Sequence, residues 1–265
     1  MYDFTYHRPA SLDAAVKALE GADDGKLLAG GHTLIPTLKQ RLASPTDLID
    51  LGGISSLQGI SESGGAIVVG ATTTHAAVAT DALVKSKIPA LAHLAEGIGD
   101  AQVRNRGTLG GSIANSDPAA DYPAGLVGLG ATVKTNRRDI AADDFFTGLF
   151  ETALEDGEIV TAVSFPVPEK AGYAKFPNPA SRYAIVGVMV SQGPAGLRVA
   201  VTGAGPSVFR VSAMEEALAD NFSAGALDGV AVPSDDLNSD LHASADYRAH
   251  LVTVMARRAV EAAGG

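Results

Sequence analysis

The sequence predicts an α+β fold. Short strand-like runs alternate with helical stretches, two glycine-rich turns interrupt that pattern, and the C-terminal region reads as a small antiparallel sheet followed by helices. At 265 residues the chain has room for two or three compact units around separate cores. Its apolar fraction is 46%, but only 5% of residues are aromatic and none is Trp, so Ala, Val and Gly have to fill the interior.

Taken in order, Ser11 can cap a helix whose Leu12, Ala15, Val16 and Leu19 share one face, and glycines at 21 and 25 end it. A strand over 26–29 runs directly into Gly30-Gly31, followed by a helix over 33–42 and a strand over 47–51. Past Gly52-Gly53, segments 57–60 and 66–71 read as a hairpin around Ser63-Gly64-Gly65. Helices near 74–79 and 89–98 lead into the second glycine segment, 107–115. A helix over 122–129 and strands over 131–135 and 159–165 complete the middle region. Pro166, Pro168, Pro177 and Pro179 punctuate the stretch after Phe165, which reads as a domain boundary. Strands over 183–190 and 197–202 and helices over 212–219 and 246–263 come last. The expected units are 1–52, 53–168 and 169–265.

A net charge of −10 without any cluster of Lys or Arg argues against nucleic acid or an anionic membrane as partner. Met1-Tyr2-Asp3-Phe4 lacks the basic start of a signal peptide, and no apolar run approaches the roughly 20 residues of a membrane span, so a soluble cytoplasmic chain is expected. The absence of cysteine excludes disulfides, thiol catalysis and Cys-held iron-sulfur clusters within the chain; any such cluster has to sit on another protein. The six histidines show no metal-ligand spacing, and no metal site is expected.

The two glycine segments carry the chemistry. Glycine lets backbone approach a ligand and aim consecutive N–H groups at an anion, while the hydroxyls of Thr33, Thr108 and Ser112 can add hydrogen bonds. Two cradles from different subdomains suit an extended diphosphate; equally, both can be plain structural turns in a chain with 30 glycines. Neither segment fits GxGxxG and GxxxxGK[ST] is absent, so Rossmann and P-loop sites are excluded.

The segment Ala29-Gly30-Gly31-His32-Thr33-Leu34-Ile35-Pro36 with Leu48-Ile49-Asp50-Leu51 resembles the first FAD loop of the molybdenum hydroxylase flavoproteins. Gln102-Val103-Arg104-Asn105-Arg106 followed by Gly107-Thr108-Leu109-Gly110-Gly111-Ser112-Ile113-Ala114-Asn115, running on to Asp117-Pro118 and Asp121, resembles their second. That family includes the medium subunit of aerobic carbon monoxide dehydrogenase and the flavin domain of xanthine dehydrogenase. The likeness covers essentially the whole chain, including Asp246-Tyr247-Arg248 at the last helix. It implies a two-subdomain FAD-binding fold of the PCMH (vanillyl-alcohol-oxidase-like) type plus a C-terminal α+β domain. It also implies FAD held non-covalently, with the molybdenum cofactor on a large partner subunit and two-iron iron-sulfur clusters on a small one, in a dimer of heterotrimers. Electrons then run from the clusters through FAD to an external acceptor.

By the same resemblance Ala29, Gly30, Gly31, His32 and Thr33, backed by Leu34 and Ile35, wrap the pyrophosphate, and Thr108, Leu109, Gly110, Gly111 and Ser112 close on it. Asp121 takes hydrogen bonds from the adenosine portion, Ile98 packs on the flavin, Val160 lines the adenine end, Tyr183 covers the ring, and Asn115 is a further polar candidate. Each has a plainer reading: Asp121 as the cap of the next helix, Ile98 and Val160 as core, Tyr183 as strand packing. His32 is not expected to anchor flavin covalently, and Arg104 and Arg106 carry no catalytic expectation. Many relatives place a lysine near the flavin in a Phe-Lys or Leu-Lys pair where this chain has Phe176-Pro177, and Lys175 is expected on the wrong face. No residue is expected to be catalytic. The rival readings are a self-sufficient flavin oxidase or reductase on the same fold, and an assembly module without FAD.

Overall fold

The computed structural model describes residues 1–265. It begins with a parallel sheet of β1 (Thr5–His7), β2 (Gly25–Leu28) and β3 (Asp47–Asp50) in the order β1-β3-β2, in which Thr5 faces Asp47 and Leu28 faces Asp50. Three residues reading Thr-Tyr-His carry no period, which is why β1 is not visible in the pattern; β3 imposes the strand by pairing. Helix α1 (Leu12–Glu20) starts where Ser11 Oγ accepts from the Ala14 N–H, as expected. Helix α2 (Leu34–Lys39) is shorter than its apolar pattern, because Arg41 turns to a left-handed φ of 59° and ends it.

The middle layer is a five-stranded antiparallel sheet with helices across it. Strands β4 (Ile60–Ser63) and β5 (Ala66–Gly70) turn through Gly64 and Gly65, both at positive φ. The expected strand over 57–60 is instead a turn of 3-10 helix, Ser55–Leu57, since the buried Leu57 gives its carbonyl to the N–H and hydroxyl of Thr72. Six helices cross next: α3 (His75–Thr80), α4 (Ala82–Lys87), α5 (Pro89–Glu96), α6 (Ala101–Arg104), α7 (Leu109–Asn115) and α8 (Tyr122–Leu129). Every residue of α8 is buried, so it is apolar all round and spans the largest core. Strands β6 (Thr132–Thr135) and β7 (Asp139–Ala141), helix α9 (Ala142–Phe145), the small hairpin β8 (Phe146–Gly148) and β9 (Glu151–Thr152), and β10 (Val160–Pro166) complete the layer. The order across the sheet is β4-β5-β10-β6-β7.

The proline-punctuated stretch after Phe165 carries the first strand of the C-terminal sheet. β11 (Lys170–Pro177), β12 (Ala184–Gly193), β13 (Gly196–Thr202) and β14 (Phe209–Arg210) form an antiparallel sheet in that order. The proline is tolerated because β11 is an edge strand and Pro177 sits at its end, next to a shift in register. Helices α10 (Ser212–Asp220) and α11 (Ala245–Ala262) cover the sheet. Arg248, buried on α11, donates to the carbonyls of Ile185 and Gly203 and pairs with Asp240, which fastens the last helix to β12 and β13. Alternation along β11 decides what reaches the middle layer: Ala174 and Phe176 pack under α11, whereas Tyr173 joins the middle core and Lys175 points the same way. Lys175 therefore faces the middle layer, two residues before Pro177, and the expectation of wrong parity is corrected. No helix is long and apolar enough to cross a membrane.

Candidate binding cleft

A cleft of about 660 Å³ opens between the first sheet, the middle helices and the segment Ser181 to Tyr183. Its floor is the turn after β2. A Cβ on Gly30 would stand 2.2 Å from the Arg106 carbonyl oxygen and 2.8 Å from Gly107 Cα, so the two glycine segments touch backbone to backbone. Gly31 has φ of +75°, with Ile35 packed beneath it. The carbonyls of Gly31 and Thr33 turn into α2, accepting from Ile35 and Thr37. The backbone N–H groups of Gly30, Gly31, His32 and Thr33 make no hydrogen bond within the chain. Four consecutive free donors on a cleft wall form an anion-binding concavity that needs no basic side chain.

The second segment is built differently from the expectation of a matching cradle. It is the first turn of α7, and its amides are consumed: Leu109 donates to Thr73, Gly110 to Ala71 and Gly111 to the Thr108 hydroxyl. Gly110 is glycine because a Cβ there would lie 2.6 Å from that of Ala71. What faces the cleft here is Thr108, Gly110 and Gly111 together with the hydroxyl of Ser112 and the amide of Asn115, neither side chain having a partner in the chain. Ala29, His32, Thr33 and Leu34 also line the cleft; Ile35 and the fully buried Leu109 do not, being spent on support beneath it.

Ile98, Tyr183 and Asp121 also line the cleft. The Arg104 guanidinium grips the carbonyls of Ile98 and Gly99, and Lys175 Nζ donates to that of Gly97, so the backbone behind Ile98 is held from two sides. Asp121 does not cap α8: its backbone is already helical and its carboxylate bonds none of the helix amides. It lies 4% exposed with Tyr173 Oη at 2.6 Å and Lys175 Nζ at 2.8 Å. Burial pushes its carboxyl above the ordinary range, opposed by the charge and hydrogen bonds of Lys175 and Tyr173. Asp121 thus shares the Lys175 ammonium with the Gly97 carbonyl next to Ile98. Lys175 and His75 are the residues that sequence reasoning passed over. Counting by twos from Tyr173 would have found the first.

Val160 lines the cleft together with Glu158, Ile159, Lys26 and Leu27. Glu158 is clamped by Arg138, by the Thr135 hydroxyl at 2.8 Å and by the Glu155 N–H at 2.9 Å, and Arg138 foremost draws its carboxyl down to about 2. A depressed carboxylate stabilises above its unfolded value, and that contribution is lost as pH falls through the folded value. Glu158→Gln is therefore expected to lower stability by about 1–3 kcal/mol at neutral pH. The deficit should shrink as urea midpoints are taken at falling pH, and an equal deficit at pH 7 and near pH 2 would refute the assignment.

Residues 2–168 match the family model described as the FAD binding domain in molybdopterin dehydrogenase. The chain is 34% identical to the carbon monoxide dehydrogenase medium chain of Hydrogenophaga pseudoflava, covering 98% of this chain and 96% of that one. It is 36% identical to the nicotine 6-hydroxylase medium subunit of Paenarthrobacter nicotinovorans over the same shares, 98% and 96%. Among solved structures, it superposes on a chain of reconstituted carbon monoxide dehydrogenase from Oligotropha carboxidovorans with a TM-score of 0.90 at 35% identity, covering 98% of this chain and 97% of that chain.

Proposed function

The chain belongs to the FAD-binding medium subunits of the molybdenum hydroxylases, and from that premise we propose that it holds FAD non-covalently in this cleft and relays electrons between partner subunits and an external acceptor. The observation that carries the reading is the row of four unpaired amides from Gly30 to Thr33. A diphosphate satisfies them without a basic residue, which suits a chain of net charge −10. The cleft volume lies within the range of cofactor sites, and Ser112 and Asn115 add side-chain partners on the opposite wall. When bound, FAD supplies the redox chemistry.

The residues of the chain position the group. The first loop anchors the diphosphate, and Val160 takes the adenine end. Ile98, fixed through Arg104 and Lys175, and Tyr183, half-exposed at the rim, bracket the ring and limit water around it. The cysteine-free sequence leaves iron-sulfur clusters to a small partner subunit and the molybdenum cofactor to a large one, assembled as a dimer of heterotrimers in the cytoplasm. Units 1–52 and 53–168 embrace the cofactor, and 169–265 closes the cleft through Tyr183.

The test is an absorbance spectrum of the purified chain before and after acid precipitation. Flavin bands that move into the supernatant as FAD are expected. Colour retained in the pellet would contradict non-covalent binding, and a chain that stays colourless after FAD is added would contradict the whole reading.

A further inference from the structure

Two buried polar atoms have no partner within the chain and belong to neighbouring rings: Nδ1 of His75 and the hydroxyl of Tyr122. The ring centroids are 5.3 Å apart with a tilt of 48°. His75 opens α3 directly behind the second glycine segment. Its amide donates to the Gly107 carbonyl at 3.0 Å, and its Nε2 fills the space that a Cβ on residue 107 would need, 2.5 Å away. Gly107 is in turn pressed against Gly30, the first residue of the row of free amides. His75 lines the cleft; of its two nitrogens only Nδ1 is sealed inside, and Nε2 makes no hydrogen bond within the chain.

Burial, reinforced by His32 and Arg104, draws the imidazole down to about 4, so at neutral pH it carries one proton. Burial also raises the Tyr122 phenol, which stays protonated and needs an acceptor. The other unpartnered buried atom is Nδ1 of the neighbouring His75 ring, and a direct hydrogen bond donated by the phenol to it would satisfy both. That arrangement leaves the imidazole proton on the other nitrogen.

We infer that Tyr122 holds His75 in the tautomer protonated on Nε2, so that His75 is a cofactor-positioning donor to an anionic oxygen of FAD beside the Gly30–Thr33 amides. The inference rests on the cleft being the FAD site.

Long-range 1H–15N spectra of the full chain at pH 7.5, with FAD titrations of His75→Phe, His75→Gln and Tyr122→Phe, test it. The parent should show the Nε2–H form before and after FAD is added, and Tyr122→Phe should shift the ring toward the Nδ1–H form. His75→Phe should weaken FAD binding about tenfold, the loss of one charge-assisted hydrogen bond, with most of the affinity kept by His75→Gln, which retains an N–H. An Nδ1–H form in the parent overturns the inference, and so does undiminished FAD binding by His75→Phe. A parent that binds no FAD overturns the reading of the cleft itself, a result distinct from a parent that binds tightly and a variant that does the same.

Discussion

Gly30→Ala is expected to cost at least a hundredfold in FAD affinity, about 2.7 kcal/mol, together with a visible drop in melting temperature. The added methyl meets the Arg106 carbonyl at 2.2 Å and Gly107 Cα at 2.8 Å, so backbone rather than a flexible side chain stands in its way. Relief requires the first loop to withdraw from the second segment, which tilts the four free amides away from their common target. Gly225→Ala supplies the control, because a Cβ there meets nothing within 4 Å and the backbone does not have positive φ. Fluorescence titration with FAD reads both variants. Equal affinity for Gly30→Ala and the parent would mean that the contact of the two segments does not set the cradle.

Lys175→Met should be the most damaging change to stability near the cleft, on the order of 3–5 kcal/mol at pH 7.5, because it strips a buried carboxylate of its counter-charge. Asp121 would keep only the Tyr173 hydroxyl. The sign of the pH dependence comes from its raised carboxyl. The folded state takes up a proton at higher pH than the unfolded chain, so stability rises as pH falls through the folded value toward the ordinary carboxylate value. Removing the ammonium raises that carboxyl further, so the variant should be more stable at pH 5 than at pH 7.5, with a steeper dependence than the parent. Adding Asp121→Asn should recover much of the loss, since a neutral amide needs no counter-ion. Urea unfolding of the four members of the cycle decides it: a double variant no better than Lys175→Met alone would show that packing, not charge, is what Lys175 supplies.

Much of this architecture is legible in the sequence where periodicity is strong. Ser11 capping α1, the strand-turn-helix around Gly30-Gly31 and the wholly apolar α8 all arise from local pattern. The misses have a common cause in tertiary pairing. β1 is a strand because β3 lies beside it, β11 absorbs a proline because it is an edge, and α7 forms within a glycine run because Thr73 and Ala71 take its first amides. For the candidate site, residue types and order are readable, but which backbone groups stay unpaired is not: both glycine segments look alike as letters, and only one leaves its donors free. Lys175 is misplaced by a miscount of the two-residue period, which sets it on the same face as Pro177, and His75 gives no sequence signal, since the ring beside it belongs to a tyrosine from a distant helix.

The small core beneath the first sheet comprises Ala15, Ile49, Leu51, Ile54, Leu57 and Ile159. Five of these come from the first 57 residues; the sixth immediately precedes β10, its amide donating to the Asn136 side-chain oxygen. During synthesis the strand that carries the glycine turn therefore leaves the ribosome long before the residue that seals its underside. The cradle cannot mature until most of the five-stranded sheet exists, which ties the moment a nascent chain becomes able to capture its cofactor to completion of the middle layer rather than to emergence of the loop itself.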